Sequence, residues 1–71
     1  MAAELMVKIT GGGIQKIGKL PITAISETGT EIVVEKVGDN VSLTVGNESK
    51  AIKTETGYGS SNNGIWVVVI D

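Results

Sequence analysis

The alternation of apolar and polar positions in this chain stops near its C-terminal end, where residues 65–70 are apolar at every position. The segment reads Ile-Trp-Val-Val-Val-Ile, and β-branched and aromatic residues of this kind suit a pleated strand better than a helix. A strand sends alternate side chains to opposite faces. The first, third and fifth residues should therefore face one way and the other three the opposite way, so both faces need a cover.

Alternation of apolar and polar side chains predicts further strands upstream. Segment 41–45 is the clearest, because Val, Leu and Val alternate with Ser and Thr. The same period of two runs through segments 4–10, 31–37 and 50–56. The centre of 31–37 is apolar on both sides, whereas 50–56 is mostly polar and suits a sheet edge. Segment 22–26 is expected to form a short third strand or the far side of a bent second one.

The segment after the first turn departs from a strict strand pattern. Its aliphatic residues Ile14, Ile17 and Leu20 are three apart, a spacing that cannot place all three on one face. A bulge near Gly18 would accommodate this spacing. Pro21 is then expected at a bend or an edge, because it has no main-chain N–H to donate.

Glycine and Asx turns separate these segments about every 8–12 residues. They lie at 11–13, 27–29, 38–40 and 46–47, and the longest connector, 57–64, is predicted to be a mobile loop. Regular strand and turn signals without an amphipathic helix predict an all-β fold. We expect one domain over the whole chain, a small antiparallel sandwich or barrel of about six to seven strands.

Chain length bears on whether this fold stands alone. A core in a chain of 71 residues is marginal and is usually supported by disulfides, a metal or oligomerisation. The sequence has neither cysteine nor histidine, so we expect no disulfide and no zinc site, and only a carboxylate-oxygen site for a hard cation is left open. We predict no bound metal and no cofactor. Oligomerisation is the support that is left, and we predict self-association or docking onto a larger assembly. The alternative is a monomer in which both layers use the two-faced strands. The predicted partner or oligomer interface comprises Ile65, Trp66, Val67, Val68, Val69 and Ile70.

The same composition argues against catalysis. Without histidine or cysteine the usual nucleophile–base pairs cannot be built, so we predict that the protein is not an enzyme. Glu31 and Glu35 share a strand face but suit a solvated rim, and Asp39-Asn40 suits a turn. Six lysines, no arginine and a net charge of −2 disfavour a phosphate-reading surface, although a ring of subunits could concentrate lysines.

The 57–64 segment is the candidate binding loop, because glycine-, serine- and asparagine-rich loops on rigid β scaffolds often carry recognition. Tyr58 would supply an aromatic anchor, and Asn62 and Asn63 would supply amide groups. The alternative is a plain connector.

Two short patches of the sequence stand out: the first consists of Lys8, Gly13-Ile14 and Ile17-Gly18, and the second is Ala51-Ile52-Lys53. Both resemble the trp RNA-binding attenuation protein family. The resemblance implies small β subunits that form a ring, bind tryptophan and wrap RNA. That family's threonine-rich tryptophan loop, histidine pair and arginine have no counterpart here.

Three functional hypotheses follow. The first is a structural or interaction protein, homo-oligomeric or decorating a larger assembly, and the Thr-, Gly-, Ser- and Val-rich acidic composition suits a virion accessory protein. The second is a ring-forming regulator that binds RNA or a small ligand between subunits. The third is an inhibitor that docks by strand addition. Residues 1–4 lack signal-peptide features and the apolar C-terminus is too short for a spanning helix, so we expect no membrane partner and a cytoplasmic or intraviral location.

Overall fold

The computed structural model describes residues 5–70, which form eight strands. They are β1 (Met6–Gly11), β2 (Ile14–Lys19), β3 (Ile22–Ile25), β4 (Glu31–Val37), β5 (Asn40–Val45), β6 (Glu48–Lys53), β7 (Gly59–Asn62) and β8 (Ile65–Ile70). A first sheet has the order β2-β1-β8-β7 and a second sheet the order β3-β4-β5-β6, with every pair antiparallel. The all-β prediction is confirmed, with eight strands instead of six to seven.

The inward faces of the two sheets form one apolar core. Alternation places every second residue of β1, β4, β5 and β8 in it, as the period-two pattern predicts. Each Val or Ile that is fully covered contributes about 1.5–3 kcal/mol, so this layer is the main stabilising term. The buried apolar residues are Val7, Ile9, Ile22, Ile32, Val34, Val41, Leu43, Val45, Ile52, Ile65, Val67 and Val69.

The strands follow one another around the core in chain order, and β8 returns to pair with β1. Two seams interrupt this circuit, at β2/β3 and at β6/β7, where neighbouring strands belong to different sheets. Side chains bridge both seams: Lys16 Nζ donates to the Thr23 carbonyl at 3.0 Å, and Lys50 Nζ donates to the Ser61 carbonyl at 3.3 Å. The architecture is therefore a β-sandwich in which side-chain hydrogen bonds join the edges of the two sheets.

The predicted bulge near Gly18 is wrong, because β1 and β2 pair without interruption along their whole length. Ile14 instead faces the core while Ile17 faces outward, so the two need not share a face. Gly18 lies on the core side, where a Cβ would come within 2.9 Å of Ile22 Cδ1. The glycine makes room for Ile22 across the seam. Pro21 lies at the bend between the sheets, as expected.

Strand limits also shift from those predicted. The first strand begins at Met6 within the described residues, and Glu4 lies outside them. The polar strand predicted over 50–56 spans Glu48–Lys53, and it forms an edge as expected.

The prediction of one continuous loop over 57–64 is wrong, because Gly59–Asn62 forms edge strand β7, paired with β8. Asn63 and Gly64 make the two-residue connection between these strands, with φ of 52° and 80°. Positive φ at both central positions is what a type I′ hairpin turn requires, and Asn-Gly is its preferred sequence. The Asn-Gly pair is thus a readable hairpin signal.

We expect Gly11→Ala to lower the free energy of unfolding by roughly 3–5 kcal/mol, because the new side chain would cause both backbone strain and a steric clash at this position. Gly11 has a φ of 115°, and a Cβ at this position would collide with the Gly64 carbonyl oxygen at the closure of β1 on β8. Gly29→Ala is the matched control, since Gly29 has a φ of 86° but no atom within 4 Å of a Cβ. It should cost about 1–2 kcal/mol. Urea unfolding followed by circular dichroism measures both, and equal losses would contradict the close approach.

Candidate functional site

The two outer faces of the sandwich differ in chemistry. The outer face of the first sheet, here called the β8 face, combines large apolar side chains with lysines. The outer face of the second sheet, here called the β4 face, combines hydroxyl and carboxylate groups with smaller apolar side chains. The β8 face comprises Met6, Lys8, Thr10, Gln15, Ile17, Lys19, Gly59, Ser61, Trp66, Val68 and Ile70. The β4 face comprises Thr23, Ile25, Glu31, Val33, Glu35, Val37, Asn40, Ser42, Thr44, Ser49, Ala51 and Lys53.

Strand β8 splits as its sequence predicts. Ile65, Val67 and Val69 are buried between the sheets, at most 3% exposed. Of the six residues that are predicted to form the interface, only the three that point outward are accessible to a partner. Of these, Trp66 is 54% exposed, and Val68 and Ile70 are partly exposed. The second sheet covers one face of β8, and nothing within residues 5–70 covers the other.

Cross-strand register arranges the β8 face in rows. Lys8 of β1 lies between Ile17 of β2 and Val68 of β8. Directly opposed residues have Cβ atoms about 4.5–5.5 Å apart, so the Lys8 side chain is flanked by aliphatic groups on both sides. Ile17 is 54% exposed, like Trp66. The face is an apolar surface with a cationic group near its centre.

Gly59 keeps Val68 accessible from the β7 side. It is the register partner of Val68, and it contributes no side chain to the row. A Cβ there would lie 3.0 Å from both Val68 Cγ2 and the Val67 carbonyl oxygen. Any larger residue at position 59 would press on Val68.

The β4 face carries carboxylates among hydroxyl groups. Glu31 and Glu35 flank Val33 on the central strand β4, and all three side chains point outward. The neighbouring Thr44 and Ser49 hydroxyls lie 3.1 Å apart and hydrogen-bond to each other. Glu31 and Glu35 are four strand residues apart, about 13 Å along the strand, too far to share one reacting group.

The three predicted loop residues do not form one surface. Tyr58, 44% exposed, precedes β7 and has Lys53 Nζ 5.3 Å from its ring centroid. At the other end of β7, Asn62 Nδ2 donates to the Glu48 main-chain carbonyl at 3.2 Å, and Asn63 Nδ2 donates to Glu48 Oε2 at 2.7 Å. Both amides thus donate hydrogen bonds across the β6/β7 seam. Tyr58 lies about 13 Å away along the strand.

A hollow of about 320 Å³ opens between the sheets at the end where three turns meet. Its polar groups belong mainly to the β3–β4 turn. The nearly buried Ser26 Oγ accepts hydrogen bonds from the main-chain N–H groups of Thr28 and Thr30 at 3.3 and 3.0 Å, and lies 2.9 Å from Thr28 Oγ1. The Glu27 N–H donates to the Gly12 carbonyl at 2.8 Å and joins two turns across the sheets. These hydroxyls are engaged in holding the turns. The hollow is lined by Gly12, Ser26, Thr28, Thr30, Val45, Asn63 and Ile65.

Within residues 5–70, no three acidic side chains come together as a metal site would require. The same part of the chain contains no helix of the length and apolarity needed to cross a membrane.

Comparison with protein-family models, with curated proteins and with solved structures finds no match for this chain. The resemblance to the trp RNA-binding attenuation protein family therefore rests on its two patches alone. The structure places the first patch in the β1–β2 hairpin of the first sheet and the second in β6 of the other sheet.

We expect Ser26→Ala to lower the free energy of unfolding by about 1–3 kcal/mol, because two main-chain N–H groups lose their acceptor in a nearly buried turn. Thr28→Val removes a neighbouring hydroxyl without removing an acceptor of a main-chain N–H, and should cost less than about 1 kcal/mol. Thermal unfolding of both variants makes the comparison. A neutral Ser26→Ala would show that this hydroxyl does not support the turn and would reopen the hollow as a ligand site.

Proposed function

We propose that this chain is a small structural or interaction protein that acts as a homo-oligomer, and that copies associate through the β8 face. One observation carries the proposal. After both sheets have formed, the central strand β8 still presents Trp66, Val68 and Ile70 outward, and Trp66 is 54% exposed. Clustered apolar surface of this kind, rimmed by polar residues, is typical of interaction sites.

The position of the surface supports association through a face. Trp66 and Val68 lie on a strand that is paired on both sides, so a partner would meet a rigid, preformed surface. An aromatic side chain can bury about 150–250 Å², which makes Trp66 the natural anchor of such an interface. Covering the face would also protect a β-branched row that otherwise favours aggregation.

Strand addition, the third hypothesis, receives less support from the edges. Side chains already donate hydrogen bonds to main-chain carbonyl groups of three edge strands. Lys16 Nζ donates to β3, Lys50 Nζ donates to β7, and Asn62 Nδ2 donates to β6. Side chains that occupy edge carbonyls and place charge along the edge discourage pairing with another chain. The faces are thus better docking surfaces than the edges. A larger assembly, including a virion, that uses this protein as a decorating subunit would meet the same β8 face.

A second candidate function is a ring-forming regulator that binds RNA. It is favoured by the placement of the exposed Trp66 on the same face as Lys8, since single-stranded nucleic acid is held by aromatic stacking next to positive charge. One tryptophan per subunit is a small platform, and symmetry would have to repeat it. We rank this function below self-association.

We expect Val68→Asp to reduce the oligomer to a monomer, because a carboxylate would be buried in the interface and weaken association at least 100-fold, by about 3 kcal/mol or more. Light scattering on a sizing column, over a range of protein concentrations, measures the mass. In the monomer, the new carboxylate would lie directly opposite Lys8, so the fold should be retained.

Two variants control for this experiment. Val68→Thr keeps the shape without a charge and should weaken association much less. Asn47→Asp adds one negative charge in an exposed turn outside both faces and should leave the mass unchanged. A folded Val68→Asp variant with wild-type mass would contradict the β8-face interface. A wild-type protein that is monomeric at all concentrations would contradict self-association itself.

For the RNA alternative, we expect single-stranded RNA to be retained at about 50 mM salt and released at about 200 mM, since phosphate contacts are displaced by counterions. Trp66→Ala should abolish retention and Tyr58→Ala should leave it unchanged. A lack of retention at low salt would remove this candidate.

A further inference from the structure

We infer that the self-association is head-to-tail: the β8 face of one copy stacks on the β4 face of the next, with Lys8 opposite Glu35. This inference rests on the proposed function, because it specifies how copies of the chain associate. It names the β4 face as the second half of the interface, a role that its own sequence pattern does not suggest.

Charge distinguishes the two faces. Among the described residues, the β8 face carries Lys8 near its centre and no carboxylate, whereas the β4 face carries Glu31 and Glu35. Lys53, also on the β4 face, lies over the Tyr58 ring. A β8 face on a β4 face therefore brings opposite charges together.

A symmetric pairing of two β8 faces has the opposite electrostatics. Lys8 lies near the middle of the face, between Ile17 and Val68, so a two-fold axis through the centre would bring two Lys8 side chains close together. Two cations without a carboxylate between them oppose association in a surface from which water is excluded. A symmetric pairing of two β4 faces would bring glutamates together in the same way.

Both faces also expose apolar groups. The β4 face is not uniformly polar, because Ile25 and Val37 are each 58% exposed and Val33 is partly exposed between the two glutamates. On the β8 face, Trp66 and Ile17 are exposed on either side of Lys8. Both faces thus combine apolar groups with charged groups, and Lys8 on the β8 face is opposite in sign to Glu31 and Glu35 on the β4 face.

The faces match in size, since both sheets have four strands. Four strands at about 4.8 Å spacing and six residues at about 3.3 Å give a face of roughly 400 Å² in plan. Two such faces would bury about 800 Å² in total, below the roughly 1,200–2,000 Å² of stable interfaces, so a single contact should be weak. A head-to-tail contact leaves one β8 face and one β4 face free in every open assembly. It therefore continues until a ring closes or a filament grows, and ring closure adds a contact without a further loss of translational freedom.

The test is a charge exchange between two variants. Lys8→Glu alone and Glu35→Lys alone should each weaken association at least tenfold, because each places like charges across the interface. An equimolar mixture should assemble again, because the acidic β8 face of the first variant fits the basic β4 face of the second, and their remaining wild-type faces also fit. Light scattering at low ionic strength measures the masses, since salt screens such pairs. A tagged Lys8→Glu protein should retain untagged Glu35→Lys protein, and not untagged Lys8→Glu protein.

Lys36→Glu and Glu55→Lys are the matched controls. Both positions are exposed and lie outside the two faces, and the changes alter the net charge by the same amounts. Alone or mixed, these variants should assemble like the wild type.

The outcomes separate the inference from the proposed function. If Glu35→Lys assembles like the wild type while Lys8→Glu binds the wild type more tightly than either protein binds itself, the interface is a symmetric pairing of β8 faces. Head-to-tail stacking is then wrong and self-association stands. If both variants assemble like the wild type, the faces are not paired through these charges and the inference is wrong. A monomeric wild type would overturn both.

Discussion

Strand β8 is apolar on both faces and is hydrogen-bonded on both edges, to β1 and to β7. A strand with these properties must have both faces covered and both edges paired, and residues 5–70 supply three of these four covers. The second sheet covers the inward side chains, and two neighbouring strands satisfy the main chain. The fourth cover, for the outward side chains, is not supplied by residues 5–70. We propose an interface because these outward side chains are left exposed.

The same strand determines how the chain closes. The connections between consecutive strands are local, but β8 pairs with β1 across almost the whole length of the sequence. Closure of such a long loop costs conformational entropy, which the buried Val67 and Val69 offset by packing against the second sheet. The glycine at position 11 is part of this closure, since it lets the end of β1 approach the turn that precedes β8. Thus β8 supplies side chains to the core and also closes the order of strands by pairing with β1.

Much of the fold could be predicted from period-two alternation. Alternation predicts β1, β4, β5 and β6 near where they occur, whereas turn signals and β-branched composition predict β2, β3 and β8. Within β8, the period of two separates Ile65, Val67 and Val69 from the other three residues. The sequence pattern also expects the polar segment at an edge, where it lies. It misses β7, because Gly-Ser-Ser-Asn has almost no strand propensity. This segment is a strand because β8 offers an open edge and Asn63-Gly64 supplies the turn. The spacing of the aliphatic residues in β2 suggests a bulge only on the assumption that all of them are buried, and that assumption is false.

The functional surface is harder to predict than the fold. Sequence alternation identifies which residues of β8 point together, but not which of the two sets is left uncovered, since that depends on the side from which the second sheet packs. Nor does it reveal Lys8 as part of the exposed face, because that placement depends on the register between β1 and β8. Lys8 restricts the kinds of partner that fit this face. An uncharged apolar face would associate with almost any apolar surface, whereas a cation at its centre penalises partners that lack a carboxylate at the matching position. Among the described residues of this chain, the β4 face presents carboxylates on another four-stranded sheet, and this match is the reason why we propose a second copy of the protein as the partner.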